Sequence, residues 1–228
     1  MFGRVLFVVA VMAGTAVGAD SDRVASEGAG SDGAASEGAD HEVQRPIMRQ
    51  LPPQAAANQP PGSRALVDAR AEVRRRYKGV LAQAKSGSGA TRAAETLLDA
   101  ATNEGDRRLK WALLEEARRQ AAAAGNALLV ERAVGLAAAV YDFDAISEEY
   151  QALNAIPLRG IDEPRAAALA QVAEQLSGRA ESDGRRELAA AAQALAIRGW
   201  QRAGDDTAAR RAAARLVELD PERVPGRR

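Results

Sequence analysis

The stretch "RRLKWALLEEARRQAAAAGNALL", residues 107–129, carries one tryptophan, a few leucines and a crowd of alanines. Leu113, Ala117, Ala121 and Ala124 recur at three- and four-residue steps, the period of one helical face. Asp106 stands where a helix N-cap belongs, and Gly125 ends the run. Alanine is the best helix former, and its small side chain lets neighbouring axes approach toward the close end of the usual ~8–10 Å. Such a stripe suits a helix that lies flat on the next one.

The same grammar extends in both directions. From Ser63 to about Glu222 there is no alternating strand pattern and no Asn-Gly hairpin signal. Eight helices are predicted, over about 64–85, 91–103 (Thr91 as cap), 107–124, 127–141, 145–155, 163–178, 184–203 and 207–219. In the fourth, Val130, Ala133, Val134, Ala137 and Tyr141 form a stripe. In the seventh, Leu188, Ala192, Leu195, Ala196, Gly199 and Ala203 share one face. The eighth presents Ala209, Ala212, Ala213, Leu216 and Leu219. Short connections with glycine stops give antiparallel helical hairpins, and stacked hairpins give an all-α, solenoid-like array. Tyr77, Trp111, Tyr141, Phe143, Tyr150 and Trp200 read as core residues, with an exposed interface anchor as the alternative.

Ahead of this domain, "MFGRVLFVVAVMAGTAVGAD" has one charge, Arg4, then an apolar run, then Val17-Gly18-Ala19, the small-x-small pattern of an export signal. The uncharged stretch is about 15 residues, short of the ~20 a spanning helix needs. Cleavage after Ala19 and a periplasmic or extracellular destination are predicted, with an uncleaved anchor as the alternative and no stable membrane span. Residues 20–62 read as a disordered spacer. Its first part repeats "SEGAG", "SDGAA", "SEGAD" from Ser26 to Asp40, and its second is Pro-rich. Such segments offer too little apolar surface to offset the entropy of ordering. A sugar-attachment site or an acidic recognition segment is the other reading of the repeat. Residues 223–228 are a basic tail.

Composition narrows the chemistry. The chain of 228 residues has no Cys and one His, His41, in the spacer. Thiol nucleophiles, Cys-ligated metals, His-based metal sites and Ser-His-acid triads therefore have no residues to be built from. From Asp20 to Gly62 acids outnumber bases seven to three, and from Ser63 onward bases lead 27 to 24. Neither excess is the clustered positive surface that nucleic acid requires. The carboxylate doublets Glu115-Glu116, Glu148-Glu149 and Asp205-Asp206 point about 100° apart on a helix, so they do not converge on one bond. Asp142-Phe143-Asp144 reads as a helix end and an N-cap rather than a cation loop. Arginine doublets at 74–76, 107–108, 118–119, 185–186, 210–211 and 227–228 read as solvated surface, most with ion pairs along the helix such as Glu115-Glu116 with Arg118-Arg119; binding of an anionic polymer or acidic peptide is the alternative.

Two segments resemble known families. "AIRGWQRAGDDTAARRAAARLVELDP", within residues 191–221, resembles a tetratricopeptide repeat: Trp200 stands at a first-helix aromatic, Gly204-Asp205 at the loop, Ala209 at the buried small position and Leu219-Asp220-Pro221 at the close. Gln193, Ile197 and Ala213 depart from that pattern, and no second copy stands 34 residues away. The resemblance implies that Arg198, Gln201 and Arg202 face a peptide groove, where they could hold a carboxylate. Residues 96–153 resemble a helical domain recurring in exported planctomycete proteins. There Trp111 to Ala117 echo its aromatic-x-Leu-Leu-x-Glu-Ala helix, Ala124-Gly125-Asn126 its turn and Tyr141 to Ala145 its closing aromatic-x-x-Asp-Ala. That resemblance implies an accessory module with no assigned reaction. The expected function is an exported, non-catalytic adaptor for another protein or peptide, without cofactor or metal. A self-associating structural component of the cell envelope is the alternative.

Overall fold

The computed structural model describes residues 58–221; the predicted leader, the basic tail and nearly all of the predicted spacer lie outside them. Among the described residues there are nine α-helices, one 3-10 turn and no strand. The helices are α1 (Ser63–Arg76), α2 (Lys78–Gln83), α3 (Gly87–Asn103), α4 (Arg107–Ala123), α5 (Ala127–Ala138), α6 (Ala145–Asn154), α7 (Glu163–Ser182), α8 (Arg186–Arg202) and α9 (Asp206–Leu219), with the 3-10 turn at Leu158–Gly160. None of them is long and apolar enough to cross a membrane.

Asp106 and Asp144 cap their helices as expected, and three further residues do the same. Asp106 accepts hydrogen bonds from the amides of Arg108 and Leu109, Asn126 from Leu129, Asp144 from Ser147, Asp162 from Arg165 and Asp205 from Ala208. Each satisfies an amide that the helix itself leaves free. The stops share one device. After α4 the amides of Gly125 and Asn126 donate back to Ala122 and Ala121, the double bond of a Schellman turn, and Gly125 takes φ +69°. Gly184 and Gly204 repeat that geometry after α7 and α8. A side chain at Gly125 would also strike Ile161, whose Cγ2 lies 2.2 Å from the Cβ position. In all three turns the residue after the glycine is the N-cap of the next helix, so the chain reverses in three residues, and in two of them, Asn126 and Asp205, its side chain also accepts a capping hydrogen bond.

Several boundaries differ from the sequence-based expectation. The first predicted helix is two, broken at Tyr77, whose ring packs into the core, two residues before the weak helix former Gly79. The second starts at Gly87, because the Ser86 hydroxyl, not Thr91, accepts the free amide, here that of Gly89. Thr91 lies inside the helix and donates to the Gly87 carbonyl. The fourth ends at Ala138, so that Tyr141 turns its hydroxyl onto the Arg107 carbonyl. The sixth runs through Gly178 to Ser182, since an interior glycine only weakens a helix, while Gly184 with positive φ ends it.

Helices pack on their neighbours in sequence, and alternate helices also touch: α3 on α5, α4 on α6, α5 on α7 and α6 on α8; α1 lies on α4 as well. The first core, around α3, α4 and α5, is built from Leu97, Leu98, Leu109, Leu113, Leu114 and Tyr141. Trp111 lies on it half-buried, edge-on to Tyr141 and Phe143 at centroid distances of 4.9 and 5.2 Å. A central core joins α4 to α8 through Val130, Leu153, Ile156, Ile161, Leu169, Leu176 and Leu195. In the small cores between α7, α8 and α9 the buried residues are alanines with Trp200 and Leu219, while Leu169, Leu176 and Leu195 of α7 and α8 belong to the central core. Helix α8 is therefore buried on more than the one predicted face: Ala192, Leu195, Ala196 and Gly199, and also Ala189, Ala190, Gln193 and Trp200. Its polar members are satisfied, with Gln193 Nε2 donating to Ala212 O at 3.1 Å and Trp200 Nε1 to Glu174 at 2.9 Å.

Candidate functional site: an alanine-floored furrow

Helices α4 and α6 flank a groove of about 450 Å³. Its floor is Ala122 and Ala123 from α4 and Ala152 and Ala155 at the far end of α6. Ala152 and Ala155 stand three residues apart on one face of α6, Ala122 and Ala123 are consecutive at the end of α4, and at each a methyl leaves room above it. Glu115, Arg118, Arg119, Glu148 and Gln151 form the walls. A second groove, of about 250 Å³, lies between α1 and α4 over Val73 and Ala112. Glu115 and Arg119 line both grooves, so the two lie side by side on α4 and together form a furrow across α1, α4 and α6 with these side chains between them.

The charged walls are cross-linked between helices. Arg70 on α1 grips Glu115 with two hydrogen bonds, at 2.9 and 2.7 Å. Arg118 on α4 pairs with Glu148 on α6 at 2.6 Å. Only Arg119 with Glu116 is the in-helix pair expected from the sequence. Each carboxylate of the walls is thus held by a guanidinium. Such a surface offers hydrogen-bond geometry and shape rather than an unneutralised acid-base pair. Among the described residues no group of three or more His, Asp or Glu side chains could hold a metal ion.

Arg198, Gln201 and Arg202 sit at the carboxyl end of α8. Arg198 donates to Asn154 Oδ1 of α6 at 2.9 Å, and Arg202 donates to the carbonyls of Leu158 and Ile161 at 3.1 and 2.7 Å. Gln201 is exposed. Two of the three residues therefore fasten α8 to the segment after α6. Other arginines expected to be solvated do similar work: Arg107 donates to Val140 O, Arg165 to Ala124 O and Arg186 to the last carbonyls of α9. A guanidinium reaches carbonyls that a helix end or turn leaves unpaired.

Two carboxyl groups at the joint of α6 with α7 and α8 have altered acidity. Asp144 caps α6 and is gripped by Arg185; hydrogen bonds from that guanidinium and from the Ser147 amide hold its carboxyl well below the usual carboxylate range. Glu149 is fully buried, and burial raises the pKa of its carboxyl, making it a weaker acid, against the opposing hydrogen bond from Arg179 at 2.6 Å. Of Asp142-Phe143-Asp144, the last is the N-cap that the sequence suggests.

The furrow itself escaped the sequence reading. Its one signal there was the Arg118-Arg119 doublet beside alanines, and nothing along the chain says that Arg118 faces Glu148, 30 residues away. No protein-family model, no curated protein and no solved structure matches this chain.

Proposed function

We propose that the protein is an exported, non-catalytic adaptor that binds another protein or peptide on tetratricopeptide-like stacked helical hairpins, with the furrow across α1, α4 and α6 as its docking surface. The observation that carries this reading is the combination of an apolar alanine floor with walls whose charges are already paired. An apolar floor gives a partner's side chains area to bury, and fixed polar walls give direction, the usual division of labour in a recognition site. Packing between alternate helices supports the array, since in stacked hairpins each unit touches the next along both rows. Arg198, Gln201 and Arg202 extend the surface toward α8. A guanidinium has five N–H donors, and Arg198 uses one of them on Asn154, so donors remain for a partner's carboxylate.

The test is site-specific photo-crosslinking in the cell. A benzophenone amino acid at Ala152 should give a discrete adduct, and the same group at exposed Glu95 on α3 should not. An adduct of twice the protein's mass would instead identify the self-associating envelope component. Equal labelling from both positions, or from neither, would remove the furrow from consideration.

A further inference from the structure

Helices α7 and α9 both pack on α8 and flank a groove of about 300 Å³. That volume is at the small end of the ~300–1,000 Å³ of small-molecule sites. Glu174, Gly178 and Glu181 line it from α7, Gln193 from α8, and Arg211 and Arg215 from α9. Arg215 reaches across to Glu181 at 2.5 Å and ties the two walls together. Arg198 and Arg202 lie on the far side of α8, about 140° and 180° round the helix from Gln193.

Three polar groups in this groove have capacity to spare. Gln193, one of the departures from the tetratricopeptide pattern, is only 3% exposed. Its Nε2 donates to Ala212 O, and a carbonyl can only accept, so Oε1 is the atom left over. No described residue donates to Oε1. Among the described residues no fully buried side-chain oxygen lacks a partner, so Oε1 opens onto the groove that Gln193 lines. Glu174 accepts from Trp200 Nε1 through Oε1, which leaves Oε2 free. Neither Glu174 nor Arg211 has an ion-pair partner among the described residues. Ser177 meets Ala189, and Gln193 meets Ala212, across antiparallel helices. Glu174, Gln193 and Arg211 therefore stand within about one turn of the same level. An acid, a buried acceptor and a base follow one another across the groove.

We infer that this groove binds a dipeptide with free termini: its ammonium on Glu174, its amide N–H on Gln193 Oε1 and its carboxylate on Arg211. Each contact joins a group of the ligand to the one side chain of matching charge or hydrogen-bonding sense. A free amino acid carries both charges but has no amide N–H for Gln193. The site lies on other helices than the furrow and does not depend on the adaptor reading.

The chain has two tryptophans, so its two indole N–H signals in a nitrogen–proton correlation spectrum serve as reporter and internal control. Trp200 Nε1 donates to Glu174, whereas Trp111 lies on the first core, edge-on to Tyr141 and Phe143. Glycylglycine titrated into the full chain should shift the Trp200 signal saturably and leave that of Trp111 in place. N-Acetylglycylglycine lacks the ammonium and glycylglycinamide the carboxylate. Each should need about tenfold more to reach half-saturation, the effect of one lost charge-assisted hydrogen bond. Glycine should need about fivefold more, for one lost neutral bond. Arg211→Gln should weaken glycylglycine about tenfold. A Cβ at Gly178 meets nothing within 4 Å, so Gly178→Leu fills the groove without removing a contact and should abolish the shift, with folding checked by circular dichroism. An absent or unsaturable Trp200 shift, equal responses to the blocked dipeptides, or an unchanged response in Arg211→Gln overturns the proposal. Glycine binding as tightly as glycylglycine overturns it too, by assigning the groove to free amino acids.

Discussion

Helices α3, α4 and α5 are kept apart by Leu97, Leu98, Leu113 and Leu114, and their core is finished by Tyr141 and Trp111. Helices α7, α8 and α9 meet through Ala166, Ala170, Ala196, Gly199, Ala208 and Ala212. A Cβ on Gly199 would stand 2.9 Å from Ala170 Cβ and 3.0 Å from the Ala166 carbonyl oxygen. Both ends bury alanines and large apolar side chains: Leu169, Val172, Leu176, Leu195 and Trp200 are buried in α7 and α8, and Ala93, Ala94, Ala117 and Ala133 in α3, α4 and α5. What sets the second end apart is the close approach at Gly199. Burial of large side chains stabilises either end in proportion to the area withdrawn from water, and at Gly199 short-range dispersion contacts add to it. Either end weakens when a large side chain is removed, and the close approach also weakens when a methyl is added.

Three substitutions test that difference. Trp200 is the largest buried residue of α7, α8 and α9, and Trp200→Ala should cost about 3–5 kcal/mol by denaturant unfolding. Leu113→Ala, at the other end, should cost about 2–5 kcal/mol, with the residual cavity setting the value. If Trp200→Ala costs less than about 1 kcal/mol, the remaining leucine and alanine contacts hold the last three helices without it. Gly199→Ala should destabilise by about 1–2 kcal/mol: the gain in helix propensity, about 1 kcal/mol, is outweighed because a carbonyl oxygen of α7 blocks the new methyl. A neutral or stabilising Gly199→Ala would show that the two backbones are free to separate.

The joint between the ends supplies the smaller effects, and they have opposite pH signs. The Asp144 carboxyl is held low, so it contributes stability that is present above its unfolded pKa and lost as pH falls through the acid range. Asp144→Ala should remove about 1 kcal/mol at neutral pH and flatten the acid limb of the stability profile. The Glu149 carboxyl is pushed up by burial, so the stability of its protonated form is present at low pH and lost as pH rises through its folded pKa. Glu149→Gln should leave neutral-pH stability within about 1 kcal/mol of the parent, or raise it, because the amide retains an oxygen for Arg179. Comparing urea midpoints at pH 4 and pH 8 reads both. Identical slopes for parent and Glu149→Gln would mean that the buried carboxyl is no longer a source of strain.

The elements were legible because local signals agree with one another. Asp106 and Asp144 are caps that the chain announces, and Gly125 and Gly204 are stops beside two more, Asn126 and Asp205. Where the reading slipped, a distant contact had overruled a local signal. Tyr77 leaves helical geometry as its ring joins a core made by α3 and α4, and Ala180, buried against α8, rides in a helix that continues past Gly178. The arginines are the clearest case. Spacing pairs Arg118 with the preceding glutamates, but Glu148 and Glu115 find their partners across helices.

Read alone, the chain already fixes that the region from Ser63 to Leu219 is helical and where most of its turns fall. Those properties depend on single residues and on periods shorter than one helix. Tertiary structure alone decided which alanines became core and which became the floor of a furrow, and which guanidinium groups were bound to a neighbour. An alanine stripe is the same from either side: a methyl group carries no record of whether another helix, or open space, will face it.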